Sequence, residues 1–128
     1  MSLITLTTDF GTKDHFVGAV KGAIFSELAD AKIIDITHEI SPFNVTETAY
    51  ILKNSYKSFP DGTIHIIGVD SELSADNKHI AIALDNHFFV CPDNGIISMI
   101  ASEIKPTKIV EINIHERVES SFPVLDVF

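Results

Sequence analysis

Three short apolar runs that alternate with two segments of helical periodicity most constrain what this chain can fold into. The apolar runs cover residues 2–8, 32–37 and 63–69, and the helical segments cover residues 14–28 and 44–58. Apolar runs of this length predict buried strands, and apolar residues spaced three or four apart predict helices that pack on a sheet. The order β-α-β-α-β predicts a parallel sheet with right-handed crossovers and helices on its faces.

Both helical segments carry signals for their buried face. The second begins at Asn44, with Glu47 three residues later, which is typical of a capping box at a helix start. The positions expected to face the core are Phe16, Val17, Val20, Ile24 and Leu28 in the first segment, and Val45, Ala49, Leu52 and Tyr56 in the second.

The pattern changes in the second half of the chain. Residues 79–84 and 87–90 are apolar runs that flank Asp85-Asn86, a two-residue signal for a β-hairpin. Residues 96–103 then predict a short helix, and residues 108–112 predict a further strand. The sequence therefore predicts one α/β domain spanning all 128 residues, with a mostly parallel sheet flanked by helices and an antiparallel hairpin.

Composition excludes several classes of partner. The net charge of −9 and the scattered positions of the nine Lys and Arg residues argue against nucleic acid and anionic membranes, which bind clustered basic side chains. No apolar run approaches the roughly 20 residues of a membrane helix, and no zinc-ligand spacing occurs, so no metal is expected. Cys91 is the single cysteine and is expected in the core, which fits a reducing cytoplasm.

Polar or aromatic residues follow each predicted strand that should end at the ligand-binding edge. Asp9 follows the first strand, Phe43 lies in the loop after the second, and Asp70 follows the third. Asn94 lies in the loop after the hairpin. Open α/β sheets bind ligands at the carboxyl ends of their parallel strands. Carboxylates there suit a polyhydroxylated or cationic small molecule, because they accept hydrogen bonds from hydroxyl and ammonium groups.

Each candidate also has a structural interpretation. Asp9 could stabilise the turn at the following residues, and Asp14 could cap the first helix. Phe43 could be a hydrophobic staple for the helix that starts at Asn44. The turn containing Asn94 has an ordinary turn composition.

Buried structural roles are also expected for two histidines, His38 and His65, because lone histidines near apolar strands are more often satisfied core residues than ligands.

The chain ends on the apolar stretch Ser121-Phe122-Pro123-Val124-Leu125-Asp126-Val127-Phe128. Chain ends are usually polar and poorly ordered. This stretch is either a final strand that docks on the sheet or a point at which a longer protein has been cut, and we favour the second interpretation.

Several stretches form a common pattern when they are taken in chain order. They are Thr7-Thr8-Asp9-Phe10-Gly11, Asp14, Val17-Gly18-Ala19-Val20-Lys21-Gly22, Asp35-Ile36-Thr37-His38-Glu39-Ile40, Phe43, Val69-Asp70 and Pro92-Asp93-Asn94-Gly95. Together they resemble the S-adenosylmethionine hydroxide adenosyltransferase family, which is related to the fluorinase and chlorinase enzymes. The resemblance covers the family's N-terminal α/β domain over residues 1–128, and the family's C-terminal β-rich domain is absent from this sequence.

The resemblance implies a reaction and a set of roles. Water or hydroxide attacks C5′ of the ribose in S-adenosylmethionine and releases adenosine and L-methionine, with no metal or redox cofactor beyond the substrate. Asp9 matches a residue that binds the ribose hydroxyls, Asp14 one near the methionine moiety, and Phe43 an aromatic that packs on the ligand. Asn94 belongs to the same substrate site, and Asp70 matches a residue that handles the water. The resemblance also implies a homotrimer with the ligand between neighbouring subunits.

The sequence departs from the family pattern at two of the three water-handling residues, and Ser71-Glu72 replace the Pro-Gly that usually follows the aspartate. Asn77, followed by Lys78, stands where hydroxide-transferring members carry Arg, and Pro123 stands where they carry His. We therefore expect Asp70 to orient the water with help from Asn77 or Lys78. The alternatives are a non-catalytic nucleoside-binding or assembly domain that has lost the catalytic Arg and His, and a plain structural domain.

Overall fold

Six strands and three helices follow one another along the part of the chain that the computed structural model describes, residues 3–42, 44–69, 78–101 and 105–112. They are β1 (Leu3–Thr8), α1 (Phe16–Glu27), β2 (Lys32–Thr37), α2 (Val45–Ser55), β3 (Ile64–Gly68), β4 (His79–Leu84), β5 (His87–Pro92), α3 (Ile96–Ala101) and β6 (Lys108–Glu111). A 3₁₀ turn, Tyr56–Ser58, follows α2.

The strands of the described residues form one sheet in the order β2-β1-β3-β5-β4-β6. β1 pairs in parallel with both β2 and β3, and β3 pairs in parallel with β5. β4 is antiparallel to both of its neighbours. The predicted class, a mostly parallel sheet flanked by helices with an antiparallel hairpin, is confirmed. The carboxyl ends of β2, β1, β3 and β5 lie at the same edge of the sheet.

The hairpin between β4 and β5 forms at the predicted turn. Asp85 and Asn86 have φ angles of 52° and 63°, the two positive values that a type I′ turn requires. The strands then pair in a regular antiparallel register, with Ile82 opposite Phe89.

α2 starts as predicted and ends earlier than predicted. Asn44 Oδ1 accepts the Glu47 N–H at 2.9 Å, and Asn44 Nδ2 donates to Glu47 Oε2 at 3.3 Å. The α-helix ends at Ser55, although helix was predicted to about Ser58, and the chain tightens into the 3₁₀ turn. Phe59 then adopts an extended conformation with ψ 154°, because the following proline disfavours a helical residue before it.

Helices cover the two faces of the sheet. α2 and α3 cover the face that carries the larger apolar cluster, which includes Leu52, Ile67, Leu84 and Phe89 with no exposed surface. α1 covers β1 and β3 on the other face, where Leu6 and Val20 are the best-buried members of a smaller cluster. The buried members of this cluster are Ile4, Leu6, Val20, Ile24 and Ala31. Full burial of such side chains stabilises the fold by about 1.5–3 kcal/mol each.

The predicted apolar face of α1 is correct at its centre and wrong at its end. Val20 and Ile24 are buried, whereas Leu28 is 38% exposed. Leu28 follows the last helical residue, and its φ of −143° takes it off the helical spiral. The helical periodicity therefore no longer decides which way its side chain points.

Candidate functional site

The loops after β1 and β5 meet at the end of β3. The Asp9 N–H donates to the Gly68 carbonyl at 3.3 Å, and Asn94 Nδ2 donates to the Val69 carbonyl at 3.4 Å. Asp70 is the next residue in the chain after Val69. The loop with Asn94 joins this edge because β5 runs parallel to β3, although β5 is also half of the hairpin.

This edge is a topological switch point. From β1 the chain continues to β2 on one side, and from β3 it continues to β4 and β5 on the other side, so the order of the strands reverses between β1 and β3. In open α/β sheets the crevice at such a reversal is the usual ligand site. The geometry therefore marks the edge between β1 and β3, where Asp9 lies, as the candidate site.

The loop after β1 is tied to the loop after β2. The Gly11 N–H donates to the His38 carbonyl at 2.7 Å, and Thr12 Oγ1 donates to Glu39 Oε1 at 3.0 Å. Gly11 has a φ of 75°, a left-handed conformation that glycine adopts without strain. These bonds fix the turn that begins at Asp9.

Asp14 lies beyond that turn, on the surface, at the start of α1. Its Oδ1 accepts the Phe16 N–H at 3.1 Å, so its carboxylate satisfies one of the unpaired donors at the helix start. The predicted N-cap role of Asp14 is wrong in position, because the N-cap residue is His15, which makes no side-chain cap hydrogen bond, and Asp14 lies one residue before it. A contact between Asp14 and the methionine part of a ligand stays a prediction.

Asn94 links two elements at the edge. Besides its bond to β3, its Oδ1 accepts the Ile96 N–H at 3.4 Å, at the first residue of α3. Gly95 between them has a φ of 93°, which leads the chain directly from the turn into the helix. Asn94 is therefore a fixed side chain at the edge, and its contact with a ligand stays a prediction.

The main chain of Lys78 lies at this edge, while its ammonium group lies beside β6. Its carbonyl accepts the Asp93 N–H at 2.6 Å. Its Nζ lies 3.7 Å from Glu111 Oε1 on β6, and both side chains are more than half exposed, at 58% and 57%. Because β6 is the outermost strand on the side away from β1, this ion pair directs the ammonium group away from Asp9.

Three further predicted site residues, Phe43, Asp70 and Asn77, lie outside the described residues. Their proposed contacts with substrate and water therefore stay predictions.

His38 is buried in a chain of polar contacts beside the edge. Its Nδ1 lies 2.7 Å from Thr8 Oγ1, its Nε2 lies 2.8 Å from Asp35 Oδ1, and Lys21 Nζ lies 2.7 Å from Asp35 Oδ2. Partial burial raises the pKa of Asp35, but hydrogen bonds and charges from Lys21 and His38 outweigh it, and the net shift lowers that pKa. The expected structural role of His38 is confirmed, and Lys21 and Asp35 are members that the sequence did not reveal.

A second histidine cluster is buried inside the domain. Thr5 Oγ1 lies 2.7 Å from His65 Nδ1, and His65 Nε2 lies 3.1 Å from His87 Nδ1. The His65 ring stacks on Phe89 at a centroid distance of 5.0 Å. Burial, and secondly the nearby His87, lower the pKa of His65 to about 4. The expected structural role of His65 is also confirmed.

Cys91 has the expected core position, with no exposed surface. Burial, and secondly the nearby Asp93, raise the pKa of its thiol to about 12. The thiol is therefore protonated at neutral pH and inert as a nucleophile.

The described residues lack two other kinds of feature, a metal-binding cluster and a membrane-spanning helix. They hold no group of three or more His, Cys, Asp or Glu side chains arranged to bind a metal ion. No helix in this part of the chain is both long and apolar enough to span a membrane.

Comparison with known families decides the assignment of the chain. The model of the SAM hydroxide adenosyltransferase N-terminal domain matches residues 4–128, where SAM is S-adenosylmethionine. The chain belongs to this family. The resemblance seen in the sequence motifs is therefore confirmed.

Individual relatives agree with the family assignment. An (R)-S-adenosyl-L-methionine hydrolase of Methanocaldococcus jannaschii is 39% identical, over all of this chain and 51% of its own length. A protein of the same name from Salinispora arenicola is 33% identical over 73% of this chain and 36% of its own length. A crystal structure of an uncharacterized conserved protein from Thermotoga maritima superposes with a TM-score of 0.85 and 34% identity, covering 96% of this chain and 52% of that one. This chain spans about half the length of the first and third of these relatives.

Proposed function

We propose that the complete protein hydrolyses S-adenosylmethionine to adenosine and L-methionine. The observation that carries the proposal is the meeting of Asp9 and Asn94 at the end of β3, immediately before Asp70. Loops that carry polar residues thus meet at a switch point, and α/β sheets bind nucleotides and related ligands at such points, which supports the proposal. Membership of the family and the name of the 39% identical relative support the same reaction.

The reaction needs little chemical assistance from the protein. A bond forms between the water oxygen and C5′ while the bond between C5′ and the sulfonium sulfur breaks. The electron pair of the broken bond stays on sulfur, which becomes the thioether of methionine, and the water loses one proton to solvent. Because the sulfonium is already a good leaving group, the protein has chiefly to orient the reactants and limit bulk water.

The substrate contacts fall to four residues in this proposal. The Asp9 carboxylate accepts hydrogen bonds from the ribose hydroxyls, because an ionised carboxylate is a strong acceptor and hydroxyl groups are donors. Asp14 lies towards the methionine moiety, Phe43 packs on the ligand, and Asn94 completes the adenosyl side of the site. The positions of Asp9 and Asn94 at one edge support this arrangement.

The water contacts fall to Asp70, with Asn77 or Lys78 in support. Asp70 accepts a hydrogen bond from the attacking water and so directs its lone pair towards C5′. Lys78 supplies a positive charge if its side chain turns from Glu111 towards the site. Exposed ion pairs of this kind are worth about 0–1 kcal/mol, so the turn costs little.

Adenosine formation tests the proposed reaction. The complete protein is incubated with S-adenosylmethionine and adenosine is followed by chromatography, beside an Asp70→Ala variant. Asp30→Ala is the matched control, because it removes an exposed carboxylate from the loop before β2, at the opposite edge of the sheet. We expect adenosine from the wild type and from Asp30→Ala, and a loss of at least roughly tenfold in Asp70→Ala. Equal, background-level adenosine formation by all three proteins would contradict the hydrolase proposal.

A non-catalytic nucleoside-binding module is the second candidate function. The observation that favours it is that Asn77 and Pro123 stand where the family resemblance implies Arg and His. Calorimetry separates the two candidates, because adenosine binding without adenosine formation from S-adenosylmethionine is expected only of the module.

Assembly is part of the same proposal. We propose that these residues form the N-terminal α/β domain of a two-domain protein, which assembles as a homotrimer with the ligand held between this domain and the C-terminal domain of a neighbour. The share of the hydrolase relative that this chain covers, 51%, supports a second domain. The 128 residues alone should then bind S-adenosylmethionine weakly, and submicromolar binding by them would refute the shared site. Light scattering of the complete protein should give the mass of three chains.

Localisation completes the proposal. We propose a cytoplasmic protein, which is supported by the single cysteine, since Cys91 has no second cysteine in this sequence with which to form a disulfide.

A further inference from the structure

One histidine holds the chain on both sides of Asp9. On the near side, the His38 ring lies 2.7 Å from the hydroxyl of Thr8, the residue immediately before Asp9. On the far side, the His38 carbonyl accepts the Gly11 N–H at 2.7 Å. Asp9 therefore lies in a short segment whose two ends are fixed to the same residue of the neighbouring loop.

The His38 ring is the centre of a continuous chain of hydrogen bonds. Thr8 Oγ1 accepts the Phe10 N–H at 3.3 Å and lies 2.7 Å from His38 Nδ1, so it joins the loop backbone to the ring. His38 Nε2 donates to Asp35 Oδ1 at 2.8 Å, because an ionised carboxylate only accepts hydrogen bonds.

The far end of the network is anchored to a helix. Lys21 on α1 donates to Asp35 Oδ2 at 2.7 Å, so the carboxylate of Asp35 bridges the helix and the histidine. Asp35 lies opposite Leu6 in the regular part of the β1–β2 register, and the register shifts immediately after it, so that Thr37 lies opposite Thr7. This shift brings His38, the residue after Thr37, level with Thr8, the residue after Thr7. Register irregularities of this kind re-aim side chains next to functional sites.

We propose that His38 is a positioning residue that sets the direction of the Asp9 carboxylate through Thr8. The inference rests on the proposed function, in which Asp9 binds the ribose hydroxyls. His38 is only 5% exposed, so it acts behind the loop rather than on the ligand. Recognition of two neighbouring hydroxyls by one carboxylate requires placement within about half an ångström, which supporting hydrogen bonds behind the first contact provide.

The test compares two nucleosides that differ only in the ribose hydroxyls. Dissociation constants of adenosine and 2′,3′-dideoxyadenosine are measured by NMR titration, which reaches millimolar values, with the complete protein. The wild type should prefer adenosine by roughly tenfold or more, the value of hydrogen bonds to a charged acceptor. Asp9→Asn should remove most of this preference for adenosine, and its loss is the reference value for the other variants.

Variants of the network should reduce the same preference while Asp9 is intact. His38→Phe keeps a flat ring and removes both ring hydrogen bonds, and we expect at least a fivefold loss of the preference for adenosine. His38→Asn retains an acceptor near the position of Nδ1 and should restore much of the preference. Thr8→Val removes the bond from its other end, so the test remains decisive if His38→Phe does not fold.

A matched control exists on the same strand. Thr5 bonds to His65 Nδ1 at 2.7 Å, the same distance as the Thr8–His38 contact, but away from the candidate site. Thr5→Val should leave the nucleoside preference unchanged, although it removes an equivalent buried bond.

The outcomes separate the two proposals. A wild type that binds both nucleosides equally, or neither, overturns the ribose role of Asp9 and the role of His38 with it. A wild type with a clear preference that persists in His38→Phe and Thr8→Val overturns the positioning role alone. Equal weakening of both nucleosides in these variants also overturns it, because that result indicates general destabilisation.

Discussion

Strand β1 carries two buried threonines that make the same contact in different surroundings. Each places its Oγ1 2.7 Å from the Nδ1 of a histidine, Thr5 with His65 and Thr8 with His38. The inner pair continues to a second histidine, His87, and to aromatic rings. The outer pair continues to charged side chains and to the backbone of the loop at the candidate site.

The same hydrogen bond therefore has two different roles, satisfying buried polar groups in one cluster and fixing a loop in the other. In the inner cluster the neighbours of His65 are buried and largely apolar, so its bonds chiefly satisfy groups that would otherwise destabilise the core. In the outer cluster, His38 binds residues on both sides of Asp9, so its bonds also fix a loop. The inner cluster should therefore dominate stability and the outer cluster ligand recognition.

The largest expected effect is the acid sensitivity of the inner cluster. The pKa of His65 is about 4 in the folded chain against about 6.5 when unfolded. Since the unfolded state binds the proton more tightly, the free energy of unfolding should fall as pH drops from 6.5 to 4, by about 3 kcal/mol from this group. Urea unfolding curves at several pH values measure the fall.

His65→Gln isolates that effect from the titration of carboxyl groups. The variant keeps a polar side chain beside Thr5 and His87 but does not titrate, so its stability should fall less between pH 7 and pH 4 than that of the wild type. Identical pH dependence in both proteins would contradict the assignment to His65.

The next largest effect compares the two threonines directly. Thr5→Val and Thr8→Val should each lower the free energy of unfolding by roughly 1–3 kcal/mol, because each leaves a buried histidine nitrogen without its hydroxyl partner. Chemical denaturation of the two variants at pH 7 measures this. Similar stability losses, with a loss of nucleoside preference in Thr8→Val alone, would support separate roles for the two clusters. A loss of nucleoside preference in both variants would contradict them.

A smaller effect is expected from the hydroxyl of Tyr56. Its ring packs edge-on against His87 at a centroid distance of 5.2 Å, and its hydroxyl donates to Asp85 Oδ2 at 3.0 Å. Burial, and secondly Asp85, raise the pKa of Tyr56 to about 12, so the phenol stays protonated. Tyr56→Phe should lower the unfolding free energy by about 1 kcal/mol and leave nucleoside affinity unchanged. A change in affinity would connect the inner cluster to the site.

The smallest stability effect is expected at the exposed ion pair of Lys78 and Glu111. Loss of either partner should change the unfolding free energy by less than about 1 kcal/mol. The two variants should differ in activity, however, because Lys78→Ala removes a proposed catalytic charge while Glu111→Ala frees it. Adenosine formation that falls in Lys78→Ala and holds in Glu111→Ala supports the role, and equal rates in the two variants contradict it.

Most of the fold followed from local patterns. Periodicity defined the strands and α1, and Asp85-Asn86 gave the type I′ hairpin because its residues tolerate positive φ. The exceptions were the 3₁₀ turn at Tyr56, the register shift after Leu6 and the exposure of Leu28. Each of these depends on how a helix ends or on pairing between strands, which a local pattern does not encode.

The candidate site was predictable only in part. The rule that the carboxyl ends of parallel strands share one edge predicted that Asp9 and Asn94 lie at the same edge, and they do. The network from Lys21 through Asp35 and His38 to Thr8 was not predictable, because it joins residues of three elements and depends on the irregular register of β2. Only the spacing of Asp35 and His38, three residues apart, was visible in the sequence.

The most direct test of the proposed site is a crystal structure of the complete protein with adenosine. The ribose O2′ and O3′ should lie about 2.5–3.0 Å from the Asp9 carboxylate oxygens, at the edge between β1 and β3, with the Thr8–His38 bond intact. Adenosine bound elsewhere, or bound at this edge with its hydroxyls away from Asp9, would contradict the proposal.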